Sequence, residues 1–370
     1  MPKRFSRVTM PGKRKTIAVV TGNRAESGLL FSTMHAIKAH PKLNLRVIVA
    51  GSHMVQGSWR EIQATGFTID TKVRMQIKGQ SGRSADTDAL GRGVTGFGAV
   101  FEKLKPGLVI VLGDRIEVLA TACAATAGGY RLAHIHGGDR AEGLADEAIR
   151  HAVSKLAQLH FPATQKSMKR LIRMGESAAL IHKVGSPAID GLAGIEPAED
   201  APELIVMQHP VGDSDTTEAS RMRATLLATR GYSRLVMMPN LDPGGEGIRR
   251  AIRAAKAKPI EHLPRDRFLS LLKGARVIVG NSSAGLIEAA AMRVPCVNIG
   301  PRQSGREKPR NVIDCGYGKE AVSRTIKNAL RLDLRRMRHP YGIGQAGQQI
   351  ANLLARTDLQ AVSLRKHNTY

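Results

Sequence analysis

Hydrophobic positions along the chain fall into two alternating patterns. Short apolar runs of strand type are each followed by a longer stretch with helical spacing. TIAVVTG (16–22) reads as a strand, followed by a helix from about Gly28 to His40 and the strand LRVIVAG (45–51). GLVIVLG (107–113) is apolar without interruption, as expected for a strand covered on both faces. The Ala-rich EVLATACAATAGG (117–129) predicts a helix closing at glycines. RLAHIHGG, the helix DEAIRHAVSKLAQ (146–158), LHFPAT, the helix QKSMKRLIRMG and LIHKVGSP follow. The Gly/Pro/Ala-rich stretch 185–202 reads as a linker. A second series then runs ELIVMQHP, a helix over about 215–230, RLVMMPN, the helix EGIRRAIRAAKA, PIEHLP, the helix DRFLSLLKGA, RVIVGNSS, the helix AGLIEAAAMR and PCVNIG. The tail beyond 319 reads as largely helical. Such alternation through both halves predicts an α/β fold with two parallel, doubly wound sheets.

A chain of 370 residues is long for one core, so two domains are expected. Aromatic residues make up 4% of the chain, so the cores must be built of Ala, Val, Leu and Ile. No apolar run approaches the roughly 18 residues that span a bilayer. Residues 1–15 are basic without the apolar stretch of a secretory signal and read as a solvated leader. Lys and Arg number 56 against 31 Asp and Glu, a net charge of +25. That excess suggests an anionic partner, or it is simply the basic surface of an Arg-rich proteome. The basic residues are scattered and few aromatics are interleaved, so a nucleic acid fits less well than a phosphorylated small molecule. Cys123, Cys296 and Cys315 form no CxxC pair. That excludes a zinc ribbon and a disulfide framework and points to a reducing, cytoplasmic compartment.

The polar residues collect where strands end, which is where parallel sheets bind ligands. TGNRAES (21–27), GDR (113–115) and HGGD (136–139) do so in the first half. QHP (208–210), PN (239–240), HLP (262–264) and GNSSAG (280–285) do so in the second. Two sheets facing one another across a cleft would pool them. Ser282 and Ser283 stand where a helix N-cap is expected. Free amides and the helix dipole make such a place a phosphate site, or the serines are a plain cap. Glu288, farther along that helix, either reaches ribose hydroxyls or is exposed. Arg24 lies in the loop after the first strand. That loop lacks both the GxGxxG spacing and a Walker lysine, and a guanidinium suits a diphosphate. Arg302 and Arg306 offer a second pair of donors. His209 is fixed between a strand and a proline and is either structural or catalytic. Asp114 follows a fully apolar strand, whereas Asp146 begins a helix and fits an N-cap. His134 and His136 either share a face or straddle the strand's end. His134, His151 and His160 also read as structural histidines.

The stretches TGNRAESGLL, GDRIEVLA, AHIHGGDRAEGLADEAIRHAVSKLAQLHF, VGSPAID, QHP, PNLDPG, VGNSSAGLIEAA and VNIGPRQSGRE, in this order, resemble the UDP-N-acetylglucosamine 2-epimerase family. The likeness is to its hydrolysing branch, of sialic- and legionaminic-acid-type pathways. The resemblance implies a GT-B-like architecture of two Rossmann-type domains: 16–185, and a UDP-binding domain at 186–340. It further implies that a C-terminal helix within 341–370 packs back on the first. It implies a UDP-sugar substrate, a homodimer, and chemistry that needs no metal or other cofactor. UDP is eliminated from C1 with loss of the C2 proton, and water then adds to release a 2-epimeric sugar such as N-acetylmannosamine. Residue by residue, Arg24, Arg115, His209, Asn240, Leu263, Ser282, Ser283, Glu288 and Arg302 match substrate-binding positions. Asp114, Asp146, His136 and His209 match positions of the reacting centre. A histidine at 136, where many members carry a carboxylate, can still give and accept a proton near neutral pH.

Departures from the family pattern are RAES in place of RADY, HGGD in place of HGGE, and Leu29 where other branches carry a lysine. They bear on the sugar more than on the nucleotide. A non-hydrolysing 2-epimerase and a GT-B glycosyltransferase are the alternatives on the same fold. A non-catalytic nucleic-acid-binding protein is the alternative from another class.

Overall fold

The computed structural model describes residues 14–80, 82–140, 146–239, 244–257, 259–261 and 263–369, with only the backbone at Ala25 and Asp146. Six strands form a first sheet: β1 (Lys15–Thr21), β2 (Leu43–Val49), β3 (Thr71–Lys72), β4 (Leu108–Leu112), β5 (Leu132–Ile135) and β6 (Leu159–Phe161). Their order is β3-β2-β1-β4-β5-β6, parallel throughout. A second sheet comprises β7 (Leu204–Met207), β8 (Arg234–Met237), β9 (Pro259–Ile260), β10 (Val277–Gly280), β11 (Cys296–Ile299) and β12 (Val312–Cys315). It is ordered β12-β11-β10-β7-β8-β9, also parallel. The two doubly wound sheets expected from the alternation are present. Read from its own first strand, the second sheet repeats the order of the first. Each reverses direction once, between β1 and β4 and between β7 and β10. Those switch points leave a crevice at the carboxyl ends of the strands.

Between these strands lie α1 (Arg24–Ala39), α2 (Ser52–Gln56), α3 (Trp59–Ala64), α4 (Arg83–Leu104), α5 (Ile116–Ala127), α6 (Asp146–Leu156) and α7 (Gln165–Arg173) in the first lobe. The second lobe carries α8 (Asp215–Ala228), α9 (Gly245–Ala254), α10 (Arg265–Gly274), α11 (Glu288–Ala291) and α12 (Lys319–Ala329), and α13 (Ala346–Arg356) follows. Alternating residues of β1 split between two cores. Ile17 and Val19 join one cluster, and Ala18 and Val20 another on the opposite face. The first cluster is closed by α13, whose Ile350, Ala351 and Leu354 are fully buried in it. Lys15 Nζ donates to the carbonyls of Leu354, Ala355 and Thr357 at 3.1, 2.8 and 2.6 Å, which satisfies the helix's last turn. Asp190 holds the other end, its two oxygens accepting from the amides of Ala346 and Gly347 at 2.9 and 2.7 Å.

The chain crosses between the lobes at 185–190 and returns at 341–346. The crossings touch where Ser186 N–H donates to Tyr341 O at 2.7 Å. A Cβ on Gly185 (φ 87°) would lie 2.7 Å from Tyr341 O, and one on Gly342 2.9 Å from Gly185 Cα. Leu29 packs against the core of each lobe, an apolar seam at the position where other branches of the family carry a lysine. No helix among the described residues is long and apolar enough to cross a membrane.

Three details differ from the expectation, and one open alternative is settled. Helix α1 starts at Arg24, not near Gly28, because Asn23 Oδ1 accepts from Glu26 N–H at 3.0 Å and caps it; Arg24 is therefore helical. GNSSAG does not open a long helix. Ser282 caps a 3-10 turn over Ser283–Gly285, and α11 is only four residues long. Asn311 Nδ2 donates to Gly285 O at 2.9 Å, taking the carbonyl that a continuous helix would offer to residue 289. Beyond 319 the helices α12 and α13 are separated by an irregular stretch containing Pro340, Gly342 and Gly344. Strand β5 ends at Ile135, and His136 has φ 64°. The two histidines therefore straddle the strand's end and do not share a face.

Candidate active site

At the first switch point, Arg24 pairs with Glu61 of α3 at 2.6 Å. Arg115 stands at the N-cap position of α5. Asp114, with a side chain 17% exposed, forms an ion pair with Arg150 of α6, which is 3% exposed. Arg150 also donates from Nη1 to Asp139 O at 3.3 Å. Burial, and then the charges of Arg306 and Arg170, lower the pKa of this guanidinium to about 9. Asp146 is the first helical residue of α6, one position inside the N-cap that the sequence suggested, and its side chain lies outside the described residues. Beneath this surface lie two further buried carboxyls. Glu26 accepts from Gly22 N–H at 2.9 Å, and Glu117 accepts from Gln76 Nε2 at 2.8 Å. Burial raises the Glu26 pKa to about 8 against the lowering effect of the Gly22 amide, and the neighbouring Glu117 charge adds to the rise.

The two histidines differ in surroundings. His134 is fully buried between Ser154 Oγ (3.0 Å) and Gly113 O (2.7 Å). Burial depresses its pKa to about 3, so it is a neutral structural ring. His136 lies on Asp139 Oδ2 through Nδ1 (2.7 Å) and on Ser186 Oγ through Nε2 (2.9 Å). It is 7% exposed.

The second switch point is built from amides and cations. Asn281 clamps the backbone of His209 twice: Oδ1 accepts from His209 N–H at 2.7 Å, and Nδ2 donates to His209 O at 2.8 Å. Arg302 and Gln303 both donate to Asn281 O, at 3.2 and 2.8 Å. The His209 ring is buried, and burial together with the Arg302 charge lowers its pKa to about 3. Ser282 Oγ accepts from Ala284 N–H at 3.3 Å, and Ser283 follows it half-buried. Glu288 accepts from Arg265 Nη1 at 3.5 Å, and it is buried rather than exposed. Arg265 in turn reaches Ala188 O at 2.7 Å and lies against Gly28 of α1. Leu263 packs half-buried on the second core. Asn240 lies outside the described residues.

The loop after β11 joins the two edges. Arg302 is next to His209, and Arg306 faces Asp139 and Arg150 of the first lobe. A crevice between the lobes is lined by Asp139, Arg140, Ser167 and Arg170 on one side and by Arg306, Glu307 and Tyr341 on the other. Arg150 Nε, Arg306 Nε and Gln303 Oε1 are buried without a hydrogen-bond partner among the described residues. Such atoms call for an unseen partner. Among the described residues, no group of His, Cys, Asp and Glu could hold a metal ion. Sequence reasoning missed Arg150, Asn281 and Gln303. Arg150 stands four residues after Asp146, on the same helix face, and Asn281 directly precedes Ser282. Those were the available signals.

Comparison with known proteins bears on the family and the fold. Residues 35–355 match the family model of UDP-N-acetylglucosamine 2-epimerase. The chain is 34% identical to the UDP-N,N'-diacetylbacillosamine 2-epimerase (hydrolyzing) of Legionella pneumophila, covering 96% of this chain and 100% of that one. It is 32% identical to the UDP-N-acetylglucosamine 2-epimerase of Neisseria meningitidis, over 86% of this chain and 88% of the relative. Among solved structures, a Neisseria meningitidis UDP-GlcNAc 2-epimerase bound to UDP-GlcNAc superposes with a TM-score of 0.79 at 18% identity, covering 92% of this chain and 100% of that one. On this evidence the chain belongs to the UDP-N-acetylglucosamine 2-epimerase family.

Proposed function

We propose that the protein is a hydrolysing UDP-N-acetyl-sugar 2-epimerase. The observation that carries this reading is the pair of facing switch points. One is dense in carboxylates and histidine, the other in amides and arginines, and the 302–307 loop ties them together. Arg24, Arg115, His209, Ser282, Ser283 and Arg302, with Asn240, Leu263 and Glu288, bind the nucleotide. The Arg265 partner of Glu288 releases it to the ribose. A neutral, buried His209 suits a hydrogen-bond partner rather than an acid. The cations stabilise the leaving diphosphate. Asp114, Asp146 and His136 handle the protons. The C2–H bond breaks and its electrons form the C1=C2 bond as UDP departs with the C1–O pair. Water then adds its oxygen to C1 and a proton goes to C2 from the opposite face. The free 2-epimer, N-acetylmannosamine or a diacetamido relative, feeds synthesis of sialic-acid-type sugars in the cytoplasm. The enzyme works as a homodimer, which light scattering checks.

Incubation in deuterated buffer with UDP-N-acetylglucosamine, and separately with its 2,4-diacetamido-trideoxy counterpart, tests the reading by NMR. The expected products are UDP and a free 2-epimeric sugar carrying deuterium at C2. Nucleotide sugars that both remain intact overturn it. Epimerised UDP-sugar without free UDP would establish the non-hydrolysing alternative.

A further inference from the structure

We propose that Asp139 is the positioning residue of the proton-handling histidine. It fixes the His136 ring with Nδ1–H on its carboxylate and leaves Nε2 as the end that takes and returns the proton. This rests on the epimerase reading above.

The arrangement starts in the backbone. His136 is a non-glycine residue in the left-handed region, φ 64°, a conformation that costs free energy and collects at functional sites. It turns the chain so that Asp139 comes back onto the ring three residues earlier, Oδ2 to Nδ1 at 2.7 Å. The other carboxylate oxygen, Oδ1, accepts from Ser167 Oγ at 2.6 Å, and Ser167 Oγ also meets Thr164 Oγ1 at 2.9 Å. Asp139 therefore has both oxygens committed. Burial would push its pKa up, yet His136, Arg306 and Ser167 outweigh that and hold it below the ordinary carboxyl value. An ionised acceptor on Nδ1 selects one tautomer, and Nε2 is then the free acceptor.

Ser186 occupies that acceptor at 2.9 Å in the resting protein. Its Oγ already accepts from Ala188 N–H at 3.2 Å, so its own hydrogen is available to Nε2. When the sugar takes this place, an N–H bond forms at Nε2 as the C2–H bond breaks, and the imidazolium rests on Asp139. Another histidine–carboxylate pair in this lobe, His160–Glu176 at 2.9 Å, lacks this character. Its Glu176 is shared with Lys155 and Lys366 at 2.8 and 2.6 Å. That pair is neutralised by lysines and stands beside the C-terminal tail. Asp139 faces the crevice and the nucleotide-side Arg306.

Steady-state kinetics of Asp139→Asn and Asp139→Glu, with calorimetric UDP binding and proton NMR of the resting enzyme, test the assignment. Asp139→Asn should lower kcat about 100-fold, within the range of proton-transfer catalysis. KM and the UDP Kd should stay within about twofold, because the change leaves binding groups in place. The far-downfield Nδ1–H resonance of His136 should vanish. Asp139→Glu should recover most of kcat. A kcat within about threefold of the parent, a downfield resonance that survives in Asp139→Asn, or a parallel loss of UDP affinity overturns the proposal. If Asp139→Asn does not fold, Ser167→Ala carries the test. A kcat about tenfold lower, the loss of one hydrogen bond to a charge, supports it, and an unchanged kcat overturns it. A parent enzyme that releases no UDP refutes the epimerase reading instead, and the NMR signature still reports the pair.

Discussion

The carboxyl-terminal edges of the two sheets share one strand order and carry opposite chemistry. The first carries Glu26, Asp114, Glu117, Asp139 and His136, with Asp114 paired to the buried Arg150. The second gathers Asn281, Ser282, Arg302 and Gln303 around a histidine that burial keeps neutral. The topology supplies a crevice at each switch point; the side chains decide what each crevice does. Under the proposed function, the groups that exchange protons need tuned, partly conflicting environments, and those lie on the first edge. On the same proposal, the diphosphate needs fixed donors, which the second edge offers by clamping its own backbone and which Arg24 and Arg115 add from the first.

This division of labour can be broken in steps. Asp114→Asn, on the first edge, should cost about 1000-fold in turnover, the scale of proton-transfer catalysis, while the UDP Kd stays within about twofold. Product NMR and calorimetry read the two quantities, and a variant with normal turnover removes Asp114 from the mechanism. Asn281→Ala, on the second edge, should do the reverse. It frees the His209 backbone and should weaken UDP about tenfold to thirtyfold, the worth of one or two buried hydrogen bonds. A fall in kcat at unchanged Kd would erase the distinction between the edges.

Glu26→Gln sharpens the comparison through pH. The folded-state pKa of Glu26 is raised from 4.5 to about 8, so the folded protein binds this proton more tightly than the unfolded chain. The corresponding stability is complete below about 4.5 and is lost as pH rises toward about 8. Urea unfolding at a series of pH values should show that decline in the parent and a flatter profile in Glu26→Gln. Identical slopes would mean that Glu26 ionises freely. The smallest effect belongs to Asp190→Ala, which removes the cap of α13 at a cost of about 1–2 kcal/mol. Hydrogen exchange should then quicken in the first sheet and not in the second. Equal quickening in both would mean that the lobes unfold as one unit.

Much of the architecture was readable because buried parallel strands are uninterrupted apolar runs, as in β4 and β10. The start of α1 was also on the page: Asn23 followed by Glu26 is a capping pattern, overlooked in favour of Gly28. The helix assigned to AGLIEAAAMR looked sound by propensity. It failed because Asn311, distant in sequence, intercepts a carbonyl, and no local pattern reports that. The link from His136 to Asp139 was hidden for a related reason. It depends on one residue adopting a left-handed conformation that its identity does not announce. Arg150 resembled any solvent-facing arginine of a helix until the fold placed Asp114 against it.

The packing of α13 on the first sheet has a consequence for synthesis. The second lobe is one continuous stretch of chain, whereas the first borrows part of its interior from residues some three hundred positions downstream of β1. On the ribosome, the later lobe can therefore close while the earlier one still shows an open apolar face. The usual order, in which the domain translated first folds first, is inverted here, and the nascent protein must shelter that face until its last helix emerges.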